Sequence, residues 1–222
     1  MSFPPASLQA ARQAVMHLSD QLRWALDTVP MVGYAETKRG SLLDFIQDLD
    51  ATTAYNPAAE GMASTMPVGV VSGWETDPAP VRLTDGESPV FDSAGAASSI
   101  LVLDLPGMDR AAVGRLKPRP DQSDPRRRIP TTIGVGKPGG KGSRLLIPLD
   151  SPLGAEDHKR LWERERRLLE DEGVKVGPYE TIVRLSTPGE DAWIIVRPGE
   201  ALLNSQFALM ELRDQDRSKE SA

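Results

Sequence analysis

A basic segment interrupted by proline and glycine lies in the middle of this 222-residue chain, at residues 110–144. It holds ten lysines or arginines against two aspartates, a net charge of +8, while the whole chain carries −6. Five prolines and, towards its end, five closely spaced glycines forbid a long helix there. Apolar runs flank the segment at 100–105 and 144–149, and such short runs indicate buried strands. We therefore expect exposed basic loops on a rigid sheet.

The positive charge of this segment is the main functional signal, because charge gathered on one surface attracts polyanions or an acidic protein face. Arginine forks bind phosphate bidentately, and glycine backbones approach anions closely. The segment has no Phe, Tyr or Trp on which bases stack, which weakens the case for single-stranded nucleic acid. A merely solvated loop is the third interpretation. The residues predicted to contact a polyanion or an acidic partner are Arg119, Arg126, Arg127, Arg128, Lys137, Lys141 and Arg144.

An apolar repeat of seven residues marks the N-terminal part of the chain. From Ala6 to Val29, apolar residues recur at alternating spacings of three and four, which predicts one helix of roughly six turns that Pro30 ends. This helix packs either on its own domain or against another subunit. The residues predicted to form a protein interface on it are Leu8, Val15, Leu18, Leu22 and Trp24.

The remaining elements combine helices with strands. Helices are predicted after the capping residues Ser41 and Asp109 and at 155–172. Pro188 and Gly189 separate two apolar runs, the pattern of a β-hairpin, and a last helix ends near Leu212. The predicted strands lie at 100–105, 129–135, 144–149, 181–185 and 192–196.

These elements predict an α+β or mixed α/β fold, since a hairpin does not suit an all-parallel sheet. We expect the long N-terminal helix to pack on or beside a mixed sheet that carries a C-terminal β-hairpin and helix. The predicted parts are an N-terminal helical arm at 1–55, an extended loop-rich segment at 56–98, a mixed α/β core at 99–213 with the basic insertion 110–144, and a polar tail at 214–222.

Composition excludes several kinds of site. The chain has no cysteine, which rules out disulfides, thiolate metal sites and cysteine nucleophiles, and its two histidines rule out His-rich metal sites. We expect neither a bound metal nor a cofactor. The N-terminus lacks a signal peptide, and no apolar run is long enough to cross a bilayer. The expected location is cytoplasmic, or within a particle assembled there, without a membrane partner.

Two functions fit the sequence. The first is a non-enzymatic structural or assembly protein of a larger viral or bacterial complex. Its helix would supply protein contacts or self-association, and its basic loop would bind an acidic partner or make a local contact with nucleic acid. The alternative is a metal-dependent enzyme acting on a phosphorylated or nucleic-acid substrate, with Asp104 or Asp121 as metal ligand. We favour the first, because no motif fixes a reaction. His158, in the first turn of the charged helix, is expected to face solvent.

Overall fold

An antiparallel sheet with helices on both faces organises the chain. In the computed structural model, the described residues are 22–25, 33–35, 37–53, 65–67, 70–72, 81–83, 96–136, 142–179, 182–184 and 193–220, with side chains at 40–47, 98–136, 142–179 and 193–219. The strands are β1 (Leu22–Ala25), β2 (Gly33–Ala35), β3 (Thr37–Gly40), β4 (Thr65–Pro67), β5 (Val70–Ser72), β6 (Val81–Leu83), β7 (Ala96–Pro106), β8 (Thr132–Gly136), β9 (Gly142–Gly154), β10 (Ile182–Arg184) and β11 (Ile194–Arg197). The helices are α1 (Leu42–Thr53), α2 (Arg110–Arg115), α3 (Ala155–Asp171) and α4 (Ser205–Glu220).

The main sheet contains five strands in the order β11-β8-β9-β7-β5, and each neighbouring pair is antiparallel. At its centre, β7 and β9 place Leu103 opposite Leu145 and Leu101 opposite Ile147. The near-continuous apolar runs of these two strands fit a sheet that is covered on both faces. The predicted combination of helices with a sheet is therefore confirmed, and the sheet itself is antiparallel.

Strand alternation sends successive side chains of the sheet into two different cores. On one face, Leu42, Phe45 and Ile46 of α1 pack against the sheet. The sheet residues of this core are Ile100, Val102, Ile133, Val135, Leu146 and Ile194. On the other face, the sheet packs against α2, α3 and α4. The residues of this second core include Leu101, Leu103, Leu145, Ile147, Val113, Leu161, Trp162, Leu169 and Leu209.

Beyond the short pairing with β5, side chains of α3 and one backbone amide cover the outer edge of β7. In the described part of the chain, β5 pairs with β7 only at Ala96–Ser98, so the carbonyls beyond need other donors. His158 and Trp162 are four residues apart on α3, a rise of about 6 Å along the helix axis. Alternate residues of a strand have nearly the same spacing, so these two side chains can each bond one of two alternate carbonyls of β7. The three bonds run from His158 Nε2 to Ile100 O at 2.9 Å, from Trp162 Nε1 to Val102 O at 2.8 Å and from Gly177 N to Asp104 O at 2.8 Å.

His158 is therefore a buried structural residue, and the expectation that it faces solvent is wrong. Because a carbonyl oxygen only accepts, Nε2 carries the proton, and Nδ1 accepts a hydrogen bond from Tyr179 Oη at 2.8 Å. Burial lowers the pKa of His158 and raises the pKa of Tyr179 to about 12, so both groups are neutral at neutral pH.

Several elements follow the sequence prediction closely. Ser41 begins α1 as a capping box, in which its hydroxyl accepts from Asp44 N at 3.2 Å and its backbone N donates to Asp44 Oδ2 at 2.8 Å. Asp109 caps α2 by accepting from Ala112 N at 2.7 Å. The charged helix predicted at 155–172 is α3. These elements depend on local signals, which the sequence states directly.

The predicted N-terminal helix is wrong over Leu22–Ala25, which form β1 and pair with β3. Trp24 lies opposite Lys38 in this ladder, and Leu22 opposite Gly40. The alternation Leu-Arg-Trp-Ala fits a period of two as well as a helical seam, and pairing with a neighbouring strand decides between them. The other predicted interface residues, Leu8, Val15 and Leu18, lie outside the described residues.

The predicted C-terminal hairpin is also wrong. β10 pairs with β4, where Ile182 lies opposite Pro67, and β11 pairs with β8, where Ile194 lies opposite Val135. A turn signal between two apolar runs does not fix the partner of either run. β11 instead forms an end strand of the main sheet, where Ile194 is buried. The end of the chain differs as well, because α4 continues to Glu220 through the predicted polar tail.

Within the described residues, the helices are too short or too polar to cross a membrane.

Candidate anion-binding site

A cavity of about 720 Å³ opens on the α3 side of the sheet. Its walls are the end of α2, the loop at 116–131, one side of α3 and the strand β11. A cavity of this size suits a small ligand or a few residues of a peptide. Its charged lining consists of five basic and three acidic side chains, and we call it the arginine cavity. These residues are Arg115, Lys117, Arg119, Arg164, Arg197, Asp121, Glu165 and Glu172.

Two buried aspartates shape the loop that forms one wall of the cavity. Asp121 accepts hydrogen bonds from Ser123 N at 3.1 Å and Ser123 Oγ at 2.6 Å, and its own N donates to Arg128 O at 2.9 Å. Asp124 accepts from Arg126 N at 2.8 Å and from Arg128 Nε at 2.7 Å. Burial raises the pKa of Asp124, but these bonds and the two arginine charges outweigh it, so the pKa lies below its ordinary value.

A fully compensated arginine ties this loop to α3 and α4. Arg164 donates to Glu165 Oε1 at 2.6 Å, to Asp121 Oδ1 at 3.2 Å and to Glu211 Oε2 at 3.0 Å. Burial opposes the charged form of Arg164, but the three carboxylates raise its pKa above the ordinary value. For Glu165 burial is the larger effect and raises the pKa despite Arg164. One cation therefore faces three acidic groups, so the charge of Arg164 is fully engaged within the protein.

Two other arginines of the same cavity, Arg197 and Arg119, are less fully engaged by carboxylates than Arg164. Arg197 donates from Nη1 to Thr132 Oγ1 at 3.1 Å and from Nη2 to the carbonyl oxygen of Leu116. Burial lowers the pKa of Arg197, and the nearby charge of Arg119 lowers it further, while Glu172 partly offsets both. Arg119 and Arg197 thus repel each other, and Glu172 offsets this repulsion only in part for Arg197, an arrangement that favours a further anion. Arg119 also attracts Glu165 and lowers the pKa of that carboxyl.

Arg119 is only weakly engaged within the protein. Its Nε lies 3.8 Å from Glu172 Oε1, too long for a hydrogen bond, and both side chains are partly exposed. Its Nη1 is buried and has no hydrogen-bond partner among the described residues. The exposed Arg115 and Lys117 add positive charge at the rim. An anion entering here would meet at least one guanidinium with donors to spare.

The predicted basic residues that the structure describes do not form one patch. Arg119 lines the cavity, whereas Arg126 and Arg127 are exposed on the loop and do not line it. Arg128 is bound to Asp124, and Arg144 lies within β9 opposite Asp104. Lys137 and Lys141 lie outside the described residues. Of the predicted set that is described, Arg119 is the member that reaches the cavity.

Sequence reasoning missed the residues that complete the site. Arg197, Arg164 and Glu172 come from β11 and α3, far along the chain from Arg119. Arg197 ends a short apolar strand, where a single arginine carries no functional signal. Arg164 belongs to a helix whose many charges resemble a solvated face.

The two carboxylates predicted as metal ligands of an enzyme belong to different elements of the structure. Asp104 belongs to β7 and Asp121 to the cavity loop, where Arg164 and Ser123 engage its Oδ1. Among the residues with described positions, no three His, Asp or Glu side chains gather in a group able to hold a metal ion.

No protein-family model matches the sequence, and no curated protein matches it either. Among solved structures, the chain is similar to the AEP domain of the Cyanophage S-2L Primase-Polymerase (PrimPol). The two are 15% identical, the match covers 95% of this chain and 98% of that chain, and the TM-score is 0.38. A likeness at that TM-score carries no argument about what this chain does.

Proposed function

We propose that this protein is a non-enzymatic interaction protein of a larger assembly, which binds an acidic segment of a partner protein in the arginine cavity. The observation that carries the proposal is the buried Nη1 of Arg119, which has no hydrogen-bond partner among the described residues and lies on a guanidinium whose charge acts on the partly buried Arg197. Two guanidinium groups held near each other in a partly desolvated site carry an electrostatic cost. A carboxylate from outside would offset that cost and use free donors.

Two features favour an acidic protein segment over nucleic acid. Among the described residues that line the cavity there is no aromatic side chain on which bases could stack. Glu172, Glu165 and Asp121 line the cavity beside the arginines and would repel the closely spaced phosphates of a nucleic-acid backbone. A single carboxylate meets less of this repulsion than a row of phosphates, because it brings one negative charge to Arg119 and Arg197. The chain itself, with its excess of acid outside 110–144, is one source of such a segment.

The test is binding of a fluorescently labelled Glu-rich peptide, followed by anisotropy at low and high salt. We compare Arg119→Gln with Arg126→Gln, since both lose one positive charge but only Arg119 lines the cavity. Charge-assisted hydrogen bonds contribute about 1.5–3 kcal/mol, so we expect Arg119→Gln to weaken binding about tenfold or more. Arg126→Gln changes only a screened, exposed charge, and we expect an effect below about twofold.

A duplex DNA probe of similar charge distinguishes the competing interpretation. Tighter binding of the duplex than of the peptide, with equal losses in the two variants, would show general polyanion binding by the loop and contradict the proposal. Light scattering during size exclusion, at increasing protein concentration, reports whether the acidic segment comes from a second copy of this chain. Self-association that Arg119→Gln weakens and Arg126→Gln does not would identify that source.

A further inference from the structure

The arginine cavity has an apolar side as well as a charged one. Five aliphatic residues that line it are only half-buried, so part of each remains exposed. These residues are Leu116, Ile129, Leu168, Ile195 and Val196. A site for a purely ionic contact would not need aliphatic surface left in contact with solvent.

The apolar and charged residues are spaced regularly along the cavity walls. On β11, Ile195 and Arg197 are two residues apart and therefore point to the same side of the strand, about 6.6 Å from each other along it. Leu168 on α3 and Glu172, the residue that caps the end of α3, are four residues apart, about 6 Å along the helix axis. Of the two charged groups, only Arg197 attracts a carboxylate, so the displacement between Ile195 and Arg197 is the one that a ligand would match.

We propose that the bound segment is extended and carries an acidic residue and a large aliphatic residue two positions apart, in a Glu-x-Leu type of arrangement. This inference rests on the proposed function and specifies its ligand. In an extended peptide, residues two apart project to the same side, about 6.6 Å from each other. The carboxylate then reaches Arg119 and Arg197 while the aliphatic side chain contacts Leu168 and Ile195. Adjacent residues would project to opposite sides and could not use both contacts.

The test uses three labelled peptides that differ at two positions within one acidic sequence. The first contains Glu-Ser-Leu, the second exchanges the last two residues to Glu-Leu-Ser, and the third replaces leucine to give Glu-Ser-Asn. Burying a leucine side chain favours the first over the third by about 10- to 100-fold in affinity. The first and second peptides have the same composition and charge, so a tenfold difference between them reports spacing alone.

Each result of the peptide comparison has a defined meaning. Equal affinity of the leucine and asparagine peptides, with Arg119→Gln still weakening both, would overturn the Glu-x-Leu inference and leave the acidic-segment function standing. Equal affinity of the two leucine peptides would overturn the spacing. Absence of salt-sensitive binding by all three would overturn the function together with the inference.

A cavity variant gives a second readout. Leu168→Gln should reduce the affinity of the Glu-Ser-Leu peptide at least fivefold and leave the Glu-Ser-Asn peptide unchanged within about twofold, because only the first places a leucine against Leu168. Met210→Gln serves as the control, since Met210 is 57% exposed on α4 and does not line the arginine cavity. An equal loss for both peptides in Leu168→Gln would count against a direct apolar contact.

Discussion

Two arginines of one cavity have opposite electrostatic surroundings. Arg164 is buried among the carboxylates of Asp121, Glu165 and Glu211, and its pKa is raised despite burial. Arg197 is also partly buried, but burial and a neighbouring cation lower its pKa. The same side chain, placed on two walls of one cavity, is therefore stabilised as a cation at one position and disfavoured at the other.

The difference separates a structural charge from one that is available for binding. A buried charge surrounded by opposite charges holds its elements together, and removing it leaves carboxylates without a partner. A buried charge beside a like charge stabilises the fold little and gains most when an external anion arrives. Functional sites commonly carry such electrostatic cost, which a ligand then offsets.

The largest loss of stability is expected when Arg164 is replaced. Arg164→Met keeps the approximate length of the side chain but leaves the buried Asp121 and Glu165 without their cation. Breaking a buried ion pair on one side costs about 3–5 kcal/mol in the free energy of unfolding. Urea denaturation of the variant and the wild type at neutral pH measures this difference directly.

A surface pair supplies the matched control for that experiment. Arg160 bonds Asp216 at 2.6 Å, but both side chains are substantially exposed. Arg160→Met should therefore cost less than about 1 kcal/mol. Adding Glu165→Gln to Arg164→Met should recover part of the lost stability, since one of the unpaired acids becomes neutral. Equal small losses for Arg164→Met and Arg160→Met would show that the Arg164 network contributes little to the fold.

A smaller and pH-dependent loss of stability is expected when Asp124, in the loop at 116–131, is replaced. The pKa of Asp124 in the folded protein lies below the ordinary 3.8, so the folded state binds fewer protons than the unfolded state in this range. Its stabilisation is complete above pH 3.8 and is lost as pH falls through the folded pKa. Asp124→Asn should cost about 1–2 kcal/mol at neutral pH, because two hydrogen bonds lose their charged acceptor.

The pH profile of that variant decides the mechanism. The stability gap between wild type and Asp124→Asn should narrow only below pH 3.8, as the pH falls through the lowered pKa of Asp124 in the folded protein and its carboxyl becomes protonated. Urea denaturation across this pH range measures the gap. Asp214→Asn, on the exposed side of α4, leaves Asp124 intact and should reproduce the wild-type profile. A gap that stays constant down to the most acidic pH would mean that Asp124 acts through geometry instead of charge.

Local signals in the sequence predict the elements but not their partners. The caps Ser41 and Asp109 and the charged pattern of α3 were sufficient to place three helices. The alternating sequence of Leu22–Ala25 was not sufficient to predict a strand, because its pairing with β3 depends on residues elsewhere in the chain. The wrong hairpin has the same cause, since β10 and β11 each pair with a strand far away in sequence.

The same limit applies to the candidate site. The excess of positive charge in 110–144 pointed to Arg119, and the structure places that residue in the cavity. The sequence did not show that two aspartates fold the loop so that Arg126 and Arg127 point elsewhere. Nor did it show that Arg197 joins Arg119 from β11. Charge composition identifies a segment, whereas the balance of charge within a cavity exists only after distant elements pack together.

The smallest expected effect tests the comparison most directly. Arg119→Gln removes an ion pair of 3.8 Å between partly exposed groups, and it also removes the like charge beside Arg197. The lost ion pair is worth less than about 1 kcal/mol, the lost attraction to Glu165 adds to it, and the relief of Arg197 offsets part of both, so the free energy of unfolding should change by no more than about 1 kcal/mol. Urea denaturation beside Arg164→Met measures it. A loss above about 2 kcal/mol would mean that Arg119 stabilises the fold as Arg164 does, and it would contradict the distinction between structural and binding arginines. A near-zero change together with lost peptide affinity would mean that the protein retains Arg119 for binding, because its fold is equally stable without that charge.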